Sequence, residues 1–422
     1  MVSPRHLLAL PFLLAASGVF AGCGPDSQAA PDSGIDVVDA GAEEDGANNS
    51  DAMPTVAELD ALLEDLRNDR DATLLAQSRA QGWPAPVEGG YLFVSAGSET
   101  LLAGDHEDWQ GVAMNAEDDF HWLVVAVNAG NRYKFTDGES SWVADPWSRS
   151  YQWDNEGEMS MVTPTGSHLE RHFQVGDANI PERQLRLWIP EAAATHVLYA
   201  HDGQNLFNPS AFFGGWKLDD SAPAALMIVG IDNSGARMSE YTHTADNIGG
   251  GATGGTGDDY AAYVQVTVRA LVEQHYGEPT TVGTMGSSLG GLISLHIADR
   301  YPGEYAFAAS LSGTLGWGSI GSTGTDTMIA RYLSAGHRST AIYIDSGGNG
   351  GTCADSDGDG TNDDDDSSFD NYCETRQMET TLVGLGYTYD TDLWHWWETD
   401  APHNEAAWAA RVFRPLQNFM SL

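Results

Sequence analysis

The spacing of apolar positions changes several times along this chain. An apolar stretch, Leu7 to Val19, follows Arg5 and His6 and ends in small residues, the pattern of a secretory signal over residues 1–22. Residues 23–53 are dominated by Asp, Ala, Gly, Ser, Asn and Pro and hold no aromatic residue, so they predict a disordered acidic linker. Leu59, Leu62, Leu63 and Leu66 then fall at helical spacing with Thr55 as a cap, predicting a helix over 54–81 in a helical segment that extends to 86. From 87 to 166 the period shortens. The runs YLFVSAG, HWLVVAVNAG and NRYKFTDG, split by Gly, Asn and Asp turns, predict a small β-sandwich. From 167 to 422 the apolar runs LRLWIP, HVLYAHDG, LMIVGIDN, TTVGTMG, AFAASLSG and TAIYIDSGG are of strand length. The stretches DDYAAYVQVTVRALVEQHYG and LGGLISLHIADRYP between them read as helices. That alternation predicts an α/β domain on a central, mostly parallel sheet.

Charge narrows the function. The formal net charge is −42, and the only lysines are Lys134 and Lys217, which argues against a nucleic-acid partner. The acidity fits solubility, divalent cations or a salty exterior. No apolar run after the signal is long enough to span a bilayer.

The candidate chemistry centres on Gly286-Ser287-Ser288-Leu289-Gly290, a G-x-S-x-G pattern with a strand running in and a helix running out. Such an elbow lifts a serine hydroxyl above a sheet edge. It also aims the Leu289 N–H and the helix N-terminus at a reacting oxygen. A serine needs a base. His403, after the run DLWHWWE and before EAAWAARVF, holds the position such folds give it, with His201, His243, His296 and His395 as rivals. The base needs a carboxylate between serine and histidine in chain order. Asp345 at the end of TAIYIDSGG and Asp370 are the two candidates.

Residues 353–373, CADSDGDGTNDDDDSSFDNYC, place eight aspartates between two cysteines. Asp355, Asp357, Asp359, Thr361, Asp363 and Asp366 stand at positions 1, 3, 5, 7, 9 and 12 of a calcium loop, with Gly360 at position 6. The stretch resembles the aspartate-rich calcium repeats of thrombospondins and bacterial extracellular proteins. The alternative is a solvated acidic loop. Phe20-Ala21-Gly22-Cys23 resembles a bacterial lipobox, which implies lipidation at Cys23 and a place in the cell envelope, attached to a membrane through lipid alone. An ordinary cleaved signal is the alternative. With Cys23 lipidated, Cys353 and Cys373 remain as a disulfide pair or two free thiols.

Two resemblances carry the rest. Leu102-Ala103-Gly104-Asp105-His106-Glu107-Asp108-Trp109, Tyr133-Lys134-Phe135 and Asp145-Pro146 resemble the immunoglobulin-like modules that precede catalytic domains in glycogen-branching enzymes and enterochelin esterases. By that likeness Trp109, Trp142, Trp147 and Trp153 either stack sugars or pack internally. The stretches from His201 to Phe207, Val229 to Asn233 and Leu311 to Gly313, with the Ser288 elbow and the His403 loop, are similar to the esterase family that includes esterase D, feruloyl esterases and enterochelin esterases. The resemblance implies an α/β-hydrolase fold and a serine esterase that acts through an acyl-enzyme on small-molecule or carbohydrate-linked esters, without an organic cofactor. It favours Asp370 over Asp345, because removing the insertion 349–369 joins Gly347-Gly348 to Asp370-Asn371. It also places the second oxyanion donor at Gln204. Arg237, Glu240 and Tyr241 either line the pocket or form an ordinary surface ion pair. An acyltransferase of the related mycolyltransferase type, and an inert polysaccharide-binding surface protein, are the rival readings. Gly249–Gly257 lacks a phosphate-loop pattern and reads as a loop near the site.

Overall fold

Every apolar run named between residues 185 and 397 becomes a strand. The computed structural model describes residues 57–248, 250–321, 325–365 and 368–422. The signal, the linker, Cys23, Thr55, Gly249 and Asp366 lie outside the described residues. The strands are β1 (His168–Val175), β2 (Arg183–Ile189), β3 (His196–His201), β4 (Leu226–Ile231), β5 (Thr281–Ser287), β6 (Phe307–Leu311), β7 (Ala341–Ser346) and β8 (Leu393–Trp397). Their order is β1-β2-β4-β3-β5-β6-β7-β8. β1 and β2 are antiparallel, as are β2 and β4, and the other neighbours run parallel. This is the α/β-hydrolase sheet. β4, β6 and β7 are buried along their whole length, which is why they read as unbroken apolar runs. The register sets Ser287 beside Leu311, Leu311 beside Asp345 and Asp345 beside Trp396. The carboxyl ends of four parallel strands therefore share one edge.

The helix Leu289–Arg300 leaves β5 directly, and its residues from Leu289 to Ala298 are buried. Leu198, Ile228, Met285, Phe307 and Tyr343 from the strands join Trp408, Leu416 and Phe419 from the C-terminal segment in one core. Phe307 and Phe419 stack with centroids 5.2 Å apart. The C-terminal helix splits into Glu405–Ala409 and Phe413–Phe419, leaving Arg411 in the turn between. The predicted N-terminal helix also splits, into Leu59–Asn68 and Arg70–Ala80. Asp69 breaks it because its carboxylate caps the second helix, accepting from Ala72 N at 3.1 Å.

The N-terminal β region has two sheets. One orders Ala85–Val87, Gly90–Ser95, His121–Val125 and Asn115–Ala116. The other contains Ser150–Asp154, Gly157–Met161, Arg132–Thr136, Leu101–Gly104 and Val112–Ala113. Phe93 from the first meets Leu102, Tyr133 and Phe135 from the second in a common core. The second sheet does not stop at residue 166. Ser150–Asp154 pairs with β1 through Tyr151 and Leu169, so one continuous ladder joins the β region to the hydrolase sheet. β1 is the strand that apolar periodicity missed. Its polar residues are taken up pairwise: Arg171 meets Glu158 at 2.5 Å, and His172 meets the Tyr276 hydroxyl at 2.8 Å. Trp147 packs on Phe173, and Trp153 against the hydrolase core. Trp109 and Trp142 lie together, with centroids 6.4 Å apart and Trp142 exposed.

Candidate active site

The elbow has the shape its motif requires. Ser288 sits at φ 55° and ψ −123°, a strained backbone for any residue with a side chain. A Cβ at Gly286 would lie 2.5 Å from the Gly290 carbonyl carbon, so only glycine lets strand and helix approach here. The turn is pinned from β6: Ser288 N donates to Leu311 O at 2.9 Å, and Thr314 N donates to Ser288 O at 3.2 Å.

His403 Nδ1 lies 2.5 Å from Asp370 Oδ1. The Asp370 side chain is fully buried, while that of His403 is 28% exposed. The rings of Trp408 and His403 meet nearly at right angles, at 82° with centroids 5.0 Å apart, which holds the imidazole's plane. Asp370 and Asn371 both hold positive φ, 71° and 56°. Asn371 Nδ2 donates to Ser312 O at 2.7 Å, which ties the acid's turn to the segment that pins Ser288. Asp370 Oδ2 takes the Gly347 N–H and lies 2.7 Å from Ser312 Oγ. A side chain at Gly347 would meet Asp370 Oδ2 at 2.6 Å. Among the described residues neither the Ser288 hydroxyl nor His403 Nε2 has a hydrogen-bond partner.

Asp345, the alternative acid, turns elsewhere. Its Oδ1 receives Arg411 Nη2 at 3.0 Å and Ser312 N at 3.2 Å, and its Oδ2 receives the Tyr343 hydroxyl at 3.0 Å. The rival histidines are likewise engaged away from Asp370. His201 lies between Tyr260 and Thr284, and burial pushes its pKa down to about 3. His296 contacts Asp258, His243 contacts the Asp326 carbonyl, and His395 contacts Glu379.

Two free N–H groups mark the oxyanion side. Neither Leu289 N nor Gln204 N has an acceptor among the described residues. Asp202, at φ 63°, turns the chain out of β3 toward Gln204. Arg237 grips its carboxylate twice at 2.7 Å, and Asn233 Nδ2 adds a third bond at 2.5 Å. Burial, the largest single effect, works to raise the Asp202 carboxyl, but the Arg237 charge and the hydrogen bonds from Arg237 and Asn233 together hold it below the usual range. Tyr241 OH accepts from Asp202 N at 3.1 Å. Arg237 and Tyr241 thus brace the loop that carries Gln204. Glu240 instead forms a buried pair with Arg183, at 2.8 Å. Asn205 Nδ2 reaches Glu405, two residues past His403, at 3.3 Å.

The acidic insertion is closed at its base by a Cys353–Cys373 disulfide, Cα atoms 5.2 Å apart. Asp355, Asp357 and Asp359 each bring a carboxylate oxygen to within 4.8 Å of the others, a set able to hold a divalent cation. Asp363 turns away, accepting from Ser356 N at 3.0 Å, and the Thr361 hydroxyl packs on Ser319 at 3.1 Å. Sequence reasoning missed Ser312 and Arg411, which lie directly behind Asp370. Arg411 did leave a signal, as the one charge inside the apolar run AAWAARVF.

The profile of the family described as "Putative esterase" matches residues 180–419. A Bacillus subtilis protein, the uncharacterized YbbA, is 28% identical over 143 residues, which cover 31% of this chain. The chain spans 57% of the length of that curated relative. Among solved structures, the enterobactin esterase FES of Shigella flexneri gives a TM-score of 0.42 at 14% identity, over 78% of this chain and 93% of that one. The siderophore hydrolase EstB of Aspergillus nidulans gives 0.43 at 15%, over 61% and 96%. MPT51 of Mycobacterium tuberculosis gives 0.41 at 13%, over 59% and 96%. With the family profile covering more than half of its length, the chain belongs to the Putative esterase family.

Proposed function

We propose that this chain is a serine esterase that hydrolyses small-molecule carboxylic esters through an acyl-enzyme. The observation that carries the reading is the pairing of His403 with the buried Asp370 at the same sheet edge as the strained Ser288. Asp370 holds the imidazole with Nδ1 protonated, leaving Nε2 to take the Ser288 proton as the hydroxyl attacks the ester carbonyl. The Leu289 and Gln204 N–H groups receive the oxyanion. His403 then protonates the leaving alcohol, and water, activated by the same histidine, releases the acid. The residues described call for no organic cofactor in these steps.

We further propose that Asp355, Asp357 and Asp359 bind Ca²⁺. The three gathered oxygens support this, and the ion would offset their mutual repulsion. The lipobox-like Phe20 to Cys23 supports a lipid-anchored place in the bacterial cell envelope, outside the cytoplasm.

A fluorophosphonate probe applied to the purified chain, with and without EDTA, tests the reading. Ser288 is expected to carry the adduct, and Ser288→Ala to abolish both the adduct and hydrolysis of p-nitrophenyl acetate. Labelling that EDTA suppresses supports the calcium proposal, and labelling indifferent to EDTA counts against it. Folded protein that is never labelled overturns the esterase.

A further inference from the structure

Behind Asp370, on the side away from His403, stands a second polar layer that the proposed chemistry does not use. Ser312 Oγ receives Arg411 Nη2 at 2.7 Å and Trp408 Nε1 at 3.0 Å. Both of its acceptor positions are then filled, so its one proton is left for Asp370 Oδ2 at 2.7 Å. Arg411 Nη2 is shared further, 3.0 Å from Asp345 Oδ1 and 3.7 Å from Asp370 Oδ2. Asp345, Ser312 and Arg411 are all buried. An arginine this close to Asp370 would by itself cancel the charge that the acid offers to an imidazolium. A second carboxylate on the same guanidinium removes that cost. Asp345, Asp370 and Arg411 together carry one net negative charge, the amount that a protonated His403 neutralises.

We propose that Ser312, Arg411 and Asp345 are positioning residues for the acid–base pair: Ser312 fixes the Asp370 carboxylate, Arg411 anchors Ser312, and Asp345 offsets the charge of Arg411 so that Asp370 keeps its own for His403. The inference rests on the esterase reading above. It gives the two aspartates, one near the end of β7 and one in the turn before the helix Tyr372–Gly384, different tasks. Asp370 touches the base, and Asp345 sets the charge of the layer behind it. Two acidic groups also act on the pair and are the same in every variant: Asp364, which burial pushes up to about 6, interacts with Asp370, and Glu405 interacts with His403. The limb is therefore compared between variants, which share their titration.

The test is kcat/KM for p-nitrophenyl acetate against pH, with the full chain and three charge variants. The acid limb reports protonation of the free base. Asp345→Asn leaves the Arg411 charge unopposed and disfavours the imidazolium, so the limb is expected to move down by about 0.5–1 pH unit. Arg411→Gln removes the cation, and the limb is expected to move up by a similar amount. The double variant Asp345→Asn with Arg411→Gln is expected to return the limb to within about 0.3 unit of wild type, a restoration that a packing role would not produce. Ser312→Ala is expected to lower kcat about tenfold with KM unchanged. A folded Asp345→Asn whose limb does not move overturns the proposal, as does a double variant displaced as far as a single one. Where the single charge variants fail to fold, Ser312→Ala with unchanged kcat overturns it. Fluorophosphonate labelling of wild-type Ser288 separates the two levels. Labelled wild type with unmoved variants removes this inference alone, and unlabelled wild type removes the esterase reading as well.

Discussion

Burial at single residues moves their titrations far from the ordinary range. Burial pushes His172 and His201 down to about 3 and His296 to about 4. An unfolded histidine takes up its proton near 6.5, while these three refuse it in the folded chain until the pH is far lower. Between those values these three sites bind more protons in the unfolded state, so their contribution to stability rises with pH and is lost on acidification. Asp145, Asp219 and Asp364, which burial pushes up to about 6, act in the opposite sense. The histidines are therefore followed singly: an NMR titration of the folded chain is expected to find all three imidazoles neutral at pH 5, and protonation near pH 6.5 would contradict these assignments. Residue-scale reading singled out Ser288 and His403 through local patterns, a turn motif and a loop position, and left the acid between Asp345 and Asp370 until the family resemblance favoured Asp370. It did not reach Ser312 or Arg411. A serine after a strand has no signature, and its partner lies 99 residues further along the chain. Only the fold brings the two together.

The elements follow the same logic. Strands buried on both faces were legible as apolar runs, and the elbow helix was legible from its position after one. β1 was not, because Arg171 and His172 stand among its buried residues and are satisfied by partners on other elements. The insertion was visible as an aspartate run, but composition could not tell which carboxylates converge. The structure gathers Asp355, Asp357 and Asp359 and turns Asp363 aside. The Cys353–Cys373 bridge closes a loop with a sequence separation of 20 and ends three residues beyond Asp370. Substituting both cysteines by serine is expected to cost about 2–4 kcal/mol of stability. It should also lower kcat, since the acid's turn loses the covalent tie three residues beyond it. Denaturant melts and steady-state rates on that variant measure both. Unchanged rates would separate the bridge from the site.

At the scale of the molecule, the boundary drawn near residue 166 from the change in periodicity divides two patterns but not two bodies. The ladder from Ser150–Asp154 into β1 crosses it, and Arg171 reinforces the crossing: its guanidinium lies 3.9 Å from the Tyr151 ring centre while it pairs with Glu158. Domains joined by a flexible linker tend to unfold independently. Here a single calorimetric endotherm is expected for residues 57–422, and two resolved transitions would mean that the ladder does not couple the regions. The same joint has a mechanical consequence. A shared sheet can bend but it does not swivel. The Trp109–Trp142 face and the Ser288 edge therefore keep a constant bearing on one another, and the N-terminal region acts on the hydrolase as a splint, with no leash between them to swing on.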